Sequence, residues 1–166
     1  VIILGIDPGT ATTGYGVIRQ DAPGKLVAVD YGAILTFPDA SVPDRLQQIY
    51  EAVNLLIDKY SPDYVATERL FFSKNETTAL SVGRAIGVIL LSISQHKLPW
   101  TEYTPMQVKE AVTGTGSADK RQIQWMVTRL LALQSIPKPD DAADALAIAI
   151  CHAHSVKLAT LGVRNR

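Results

Sequence analysis

Asp7, Glu68 and the trio Asp140, Asp141 and Asp144 are the side chains of this sequence whose type and placement can do chemistry. Asp7 closes the apolar run from Val1 to Ile6, and Glu68 closes Tyr64-Val65-Ala66-Thr67. The three aspartates open an apolar helical stretch that continues through Ile150. A carboxylate at the end of so apolar a segment loses hydration and needs hydrogen bonds, a cation or a metal to offset that loss. Each has a plain explanation by itself. Asp7 can accept N–H groups from the turn at Pro8-Gly9, and acids in a first helical turn cap it and meet its dipole. Taken together they are hard oxygen donors without histidine or cysteine, a set that selects Mg²⁺ or Mn²⁺. Four carboxylates can hold two such ions about 4 Å apart, which activates water against a phosphodiester and stabilises the leaving oxygen.

Whether these groups converge depends on the elements that carry them. Val1 to Asp7 reads as a strand covered on both faces, central in a mixed or parallel sheet. Pro8-Gly9 reads as a type II turn in which Gly9 takes the positive φ. Tyr15 to Arg19 and Lys25 to Leu35 continue an antiparallel meander, with Val27, Val29 and Tyr31 on one face of the latter. Ser41 caps a helix bearing Leu46, Ile49, Tyr50, Val53, Leu56 and Ile57 at amphipathic spacing, ended by Ser61-Pro62. A helix between strands favours a crossover to a parallel neighbour, so Tyr64 to Glu68 falls beside a strand already in the sheet. If that strand is the first, about 4.8 Å away, Asp7 and Glu68 emerge at adjacent strand ends.

Asn75 to Ser94 is a longer helix, apolar almost all round beyond Ala85, and Ala79, Gly83 and Gly87 form a low strip favouring a two-fold dimer contact. A fifth strand at Pro99 to Tyr103 precedes a short helix from Pro105 through Val112. The loop Thr113-Gly114-Thr115-Gly116-Ser117 leads to a helix from Asp119 to about Leu133. The last helix starts near Pro139, with Asp140 its N-cap in the simplest assignment. Periodicity does not choose between Asp140 and Asp141 as the partner of Asp144.

The 166 residues suit one domain, and 16 basic against 16 acidic residues give no bulk charge that announces a nucleic-acid partner. Positive charge is nevertheless segregated, since Pro105 to Pro139 carries Lys109, Lys120, Arg121, Arg129 and Lys138 against Glu110 and Asp119. The glycine-rich loop before a helix can cradle a phosphate but lacks Walker spacing. One cysteine excludes an internal disulfide. Cys151-His152-Ala153-His154 lacks zinc-site spacing, leaving Cys151 as a small buried hydrophobe. The start at Val1 lacks the basic region and cleavage site of a signal peptide, and Ala85 to Ile93 falls short of the roughly 20 residues that span a bilayer. A soluble, cytosolic protein with no membrane partner is expected.

Ile3 to Thr10 with Thr13-Gly14-Tyr15-Gly16, Pro62-Asp63-Tyr64 through Glu68, Val108-Lys109 to Gly116-Ser117 with Lys120, and Asp141-Ala142-Ala143-Asp144-Ala145-Leu146-Ala147 resemble the RuvC Holliday-junction resolvases of bacteria. The match runs from Val1 to about His154 in order and spacing. It implies an α/β, ribonuclease-H-like fold with a five-stranded mixed sheet of order 3-2-1-4-5 flanked by helices on both faces. That nuclease domain would span 1–155, with 156–166 a short mobile basic tail. The resemblance implies Asp7, Glu68, Asp141 and Asp144 as catalytic carboxylates holding Mg²⁺, with Mn²⁺ able to substitute and two ions per site. Asp-Ala-Ala-Asp spacing favours Asp141 over Asp140. Lys109 and Lys120 match lysines linked to activity or DNA contact, and Lys120 would stabilise charge on the phosphoryl oxygens. Phe71, with Phe72 alongside it, matches an aromatic that stacks on opened bases, and Arg69, Lys74 and Arg84 are candidates for backbone contacts. The implied partners are a four-way DNA junction, a second copy in a homodimer and the RuvA–RuvB branch-migration complex. Asp7-Pro8-Gly9-Thr10 also resembles the first phosphate loop of actin- and sugar-kinase-like ATPases, but the second such loop they need does not occur. A non-catalytic junction-binding module is the third reading.

Overall fold

The computed structural model describes residues 1–22, 24–69 and 76–163, with side chains of the last segment described at 78–156. The strands β1 (Ile2–Asp7), β2 (Thr12–Ala22), β3 (Lys25–Leu35), β4 (Tyr64–Glu68) and β5 (Trp100–Tyr103) form one sheet in the order β3-β2-β1-β4-β5. The β3-β2-β1 meander is antiparallel, whereas β4 runs parallel to β1 and β5 parallel to β4. The helices are α1 (Val42–Tyr60), α2 (Glu76–Gln95), α3 (Pro105–Thr113), α4 (Lys120–Leu130) and α5 (Asp140–Val163). This is the ribonuclease-H-like class and the strand order that the motifs imply.

Strand alternation sorts the residues into two layers. Leu4, Ile6, Val17 and Val65 pack with Ile49, Val53 and Ile57 of α1 and with Ala85, Ile89 and Ile93 of α2. On the other face Ile3, Ile18 and Ala66 pack with α3, α4 and the buried body of α5. Asp7 lies four residues from Ile3 on the same strand face, and Glu68 two from Ala66. Both carboxylates therefore project on the side of α5.

The approach of α5 to that face is set by glycine. A Cβ at Gly5 would stand 2.2 Å from the Ala145 carbonyl oxygen, one at Gly14 2.0 Å from that of Asp141, and one at Gly16 2.8 Å from the Leu146 nitrogen. Gly5 and Gly16 are register partners, and Asp7 pairs with Gly14. The helix backbone thus rests directly on strand backbone, which no larger residue permits.

Several local readings change in the folded chain. Gly9 does not take a positive φ; a Cβ there would lie 2.2 Å from the Thr12 carbonyl oxygen, so close backbone approach is what demands glycine. In β3, Leu26, Ala28 and Tyr31 belong to the α5-side core while Val29 is exposed, because the register slips between Val17–Asp30 and Ile18–Ala28 and leaves Val29 as a bulge. Helix α4 stops at Leu130 rather than near Leu133. Helix α5 continues to Val163, so the segment expected as a tail from 156 is helical over most of its length, and 164–166 lie outside the described residues. Residues 78–95 of α2 are long and apolar enough, at 18 residues, to cross a membrane by composition alone. One side of that helix is nonetheless built into the core with α1.

Gly16→Ala should force α5 off the sheet and destabilise the fold by about 1–3 kcal/mol, read as a lower urea midpoint. An unchanged midpoint would mean the helix has room to spare there.

Candidate active site

The N-terminal end of α5 carries Asp141 and Asp144 near enough to the strand ends for both to act on Asp7. Burial, with Asp144, Glu68 and Asp141 as negative neighbours, pushes the Asp7 carboxyl up to about 7 against the pull of Lys120. Burial and Asp144 raise Glu68, with Lys109 opposing. Burial also raises Asp144, reinforced by Asp141 and Asp140, although Lys120 works against it. The groups therefore share one electrostatic site, and a cavity of about 230 Å³ there is lined by Glu68, Lys109, Lys120 and Asp144.

Lys120 pairs with acids at the start of α5. Its Nζ stands 3.3 Å from Asp144 Oδ2 and 3.5 Å from Asp140 Oδ2. Burial works to lower its ammonium, but Asp144 and Asp140 outweigh this and hold it above its ordinary value. Asp140 is the first helical residue, not an outlying cap, and its Oδ1 accepts from Lys138 Nζ at 2.8 Å. Contact with Lys138, helped by Lys120, holds its carboxyl below the usual range.

The donor set fits a divalent cation. Its members are hard oxygens, and partial burial together with mutual repulsion lifts three of them, a cost that a bound dication removes. Among the described residues no three acidic, histidine or cysteine side chains are already gathered as a finished metal centre.

The remaining candidates divide. Arg69 Nε donates to Glu102 Oε2 at 2.9 Å at the edge beyond β4. Arg84 is exposed on α2 with no ion pair among the described residues. Phe71, Phe72 and Lys74 lie outside the described residues. The 113–117 loop does not offer a phosphate cradle: Thr115 Oγ1 and Ser117 Oγ bond each other at 2.9 Å, and an Asp119–Gln122 capping box closes the start of α4. Cys151 is buried with its Sγ 3.6 Å from the Gln107 carbonyl oxygen, and His154 Nδ1 meets the Ala111 carbonyl oxygen at 2.9 Å, so this pair ties α5 to α3. Sequence reasoning missed the seating role of Gly5, Gly14 and Gly16 and the Asp140–Lys120 pair. The signals available were glycines two apart on one strand face and the i, i+4 spacing of Asp140 and Asp144.

Residues 3–152 match the family model described as RuvC, crossover junction endodeoxyribonuclease. The chain is 56% identical over 158 residues to the crossover junction endodeoxyribonuclease RuvC of Desulfitobacterium hafniense (strain DSM 10664 / DCB-2), covering 95% of each. The solved structure of Thermus thermophilus RuvC is similar at a TM-score of 0.90 and 34% identity, over 96% of this chain and 98% of that one. The same protein in complex with Holliday junction substrate gives a TM-score of 0.91 at 34% identity over 96% of each chain.

The raised Asp7 has a consequence for stability without divalent ions. The unfolded carboxyl ionises near 3.8 while the folded one keeps its proton to about 7. The protonated group thus favours folding fully below the lower value, and this contribution is lost as pH rises through the upper one. In chelator, Asp7→Asn should therefore raise Tm at pH 8, with the advantage shrinking as pH falls toward 4. A variant no more stable than wild type at pH 8 would contradict this.

Proposed function

The chain belongs to the RuvC family of crossover junction endodeoxyribonucleases, and from that premise we propose that it resolves four-way DNA junctions by metal-dependent phosphodiester hydrolysis. Two subunits of a homodimer each cut one of two strands of like polarity. The nicks leave 5′-phosphate and 3′-hydroxyl ends that can be rejoined, in homologous recombination and repair in the cytoplasm, with RuvA–RuvB as the partner machine. The observation that carries the reading is the electrostatic coupling of half-buried Asp7 with Glu68, Asp141 and Asp144 beside Lys109 and Lys120. The Holliday-junction complex of the Thermus thermophilus relative supports the choice of substrate.

Asp7, Glu68, Asp141 and Asp144 would hold Mg²⁺ or Mn²⁺, two ions per site, which when bound supply a Lewis acid and a water acidified toward neutrality. The strand ends fix Asp7 and Glu68, and the seated helix fixes the other pair, so the acids face one phosphate. Lys120, shared between Asp140 and Asp144, turns its charge to the phosphoryl oxygens as negative charge grows there. Lys109 moderates Glu68 from the same cavity. Arg69, Lys74 and Arg84 contact the DNA backbone, which sets position without reading sequence, and Phe71 or Phe72 stacks on opened bases.

The outer face of α2 supports the dimer. Leu80 and Leu91 are 57% and 51% exposed, and a Cβ at Gly87 would meet nothing within 4 Å. Of the low strip, Ala79 is spent inside the chain while Gly87 faces outward.

Asp7→Asn should keep binding to a synthetic four-way junction and lose cutting on the order of a thousandfold, assayed with junction and linear duplex, each with and without divalent ion. A variant that cuts at the wild-type rate would remove the metal assignment. Leu91→Glu should convert a sedimenting dimer to monomer and abolish paired nicking; a wild-type chain that sediments as a monomer at micromolar concentration would remove the dimer.

A further inference from the structure

Helix α4 turns a second surface away from the carboxylates. Arg121, Trp125 and Arg129, at i, i+4 and i+8, form an outward stripe, with Trp125 56% exposed and the Arg129 guanidinium 5.5 Å from its ring centroid. Beside it lies a cavity of about 600 Å³, whose lining includes Asp119, the exposed Arg121, Gln124, Trp125, Met126 and Ile136. This is the size of a small-ligand site.

Gln124 is the residue that asks for an occupant. It is only 7% exposed, yet its side-chain amide has no hydrogen-bond partner among the described residues; only its backbone carbonyl is used, by Thr128. The amide is open to the cavity it lines, with its donor and acceptor unused within the described residues. A complementary donor–acceptor edge would complete it.

We propose that this cavity takes a nucleobase from an unpaired stretch of the DNA substrate. A primary amide pairs side by side with the donor and acceptor edge of a base. Trp125, Met126 and Ile136 supply an apolar, partly aromatic enclosure for its faces. Arg121, with no ion pair among the described residues, meets the strand's phosphate, and it follows directly after Lys120 of the candidate active site. A fully paired duplex keeps its bases stacked and cannot fill the cavity. The inference rests on the DNA reading above for the identity of the strand.

The test is tryptophan fluorescence of the full chain, titrated in chelator with a single-stranded oligothymidylate and with a duplex of equal length. The single strand should quench the wild type but not Trp125→Phe, which leaves Trp100, and the duplex should not quench. Gln124→Leu, near in volume, and the surface change Arg121→Gln should each weaken single-strand binding about tenfold. Thermal melts confirm folding, and Arg121→Gln carries the test if Gln124→Leu does not fold. Asp7→Asn, which loses cutting, should keep the quench of Trp125 by the single strand, so that loss of cutting and loss of this site are read separately. The proposal is overturned if the single strand leaves Trp125 emission unchanged, if duplex quenches equally, or if the folded variants bind as wild type. An acidic peptide of Asp and Phe that quenches where the oligonucleotide does not would overturn it too, making the cavity a protein-docking groove.

Discussion

The structure depends on backbone-to-backbone contact between α5 and the paired strands β1 and β2. Gly5, Gly14 and Gly16 remove the side chains that would hold a helix away from a sheet, and Ala142, Ala145 and Ala149, all at 0% exposure, do the same from the helix. Close packing then fills the space with no voids and little freedom to slide. The helix that opens on Asp140 and Asp141 is thereby also one whose body, from Ala145 to Ala153, is buried. Its apolar burial offsets the cost of bringing carboxylates to a partly desolvated lip where they repel one another.

That repulsion is only loosely relieved within the protein. Lys120 reaches Asp144 but is shared with Asp140, and its side chain is 54% exposed. A solvated, divided ion pair of this kind contributes little to stability, so the ammonium can leave Asp144 without a large penalty when stronger charges enter. Lys138, pairing with Asp140 from the solvent side, keeps that acid occupied. The acids are thus held in place by the fold more than by each other or by cations, which is the condition under which a site can exchange its charged contents without unfolding.

The parts legible in the sequence were those governed by local periodicity. Apolar runs ending in Asp7 and Glu68, with a helix between, identify both strands and a parallel crossover, because those signals are local; the placement of β4 against β1 comes from the family's strand order, and the register bears it out. The cap at Ser41 followed in the same way, its side chain accepting from the Asp44 N–H. What escaped depends on partners distant in sequence. The bulge at Val29 is fixed by the register with β2, and no alternation inside Lys25 to Leu35 signals it. Gly9 was read as a turn glycine because φ is the common reason for glycine after proline; its constraint is the Thr12 carbonyl. The glycines under α5 have meaning only once the helix that covers them is known. Likewise the apolar circumference of α2 reads as buried on most sides, whereas within one chain the side facing α1 and the sheet is the one built into the core.

The start of α4 shows how much chemistry can hang on one cap. Asp119 accepts from the Gln122 N–H at 2.9 Å while the Gln122 side chain accepts from the Asp119 N–H at 2.8 Å, so the helix begins at Lys120 and nowhere else. Those bonds also use two of the N–H donors at the start of the helix, those of Asp119 and Gln122, and the lysine side chain is what meets negative charge at the carboxylate lip. Because successive helical residues are turned by about 100°, starting the helix one residue later would swing Lys120 out of reach of Asp144 and bring a different side chain to the lip. The same rotation separates Lys120 from the Arg121, Trp125 and Arg129 stripe. The capping box therefore fixes both which residue serves the carboxylates and which residues are left to face outward.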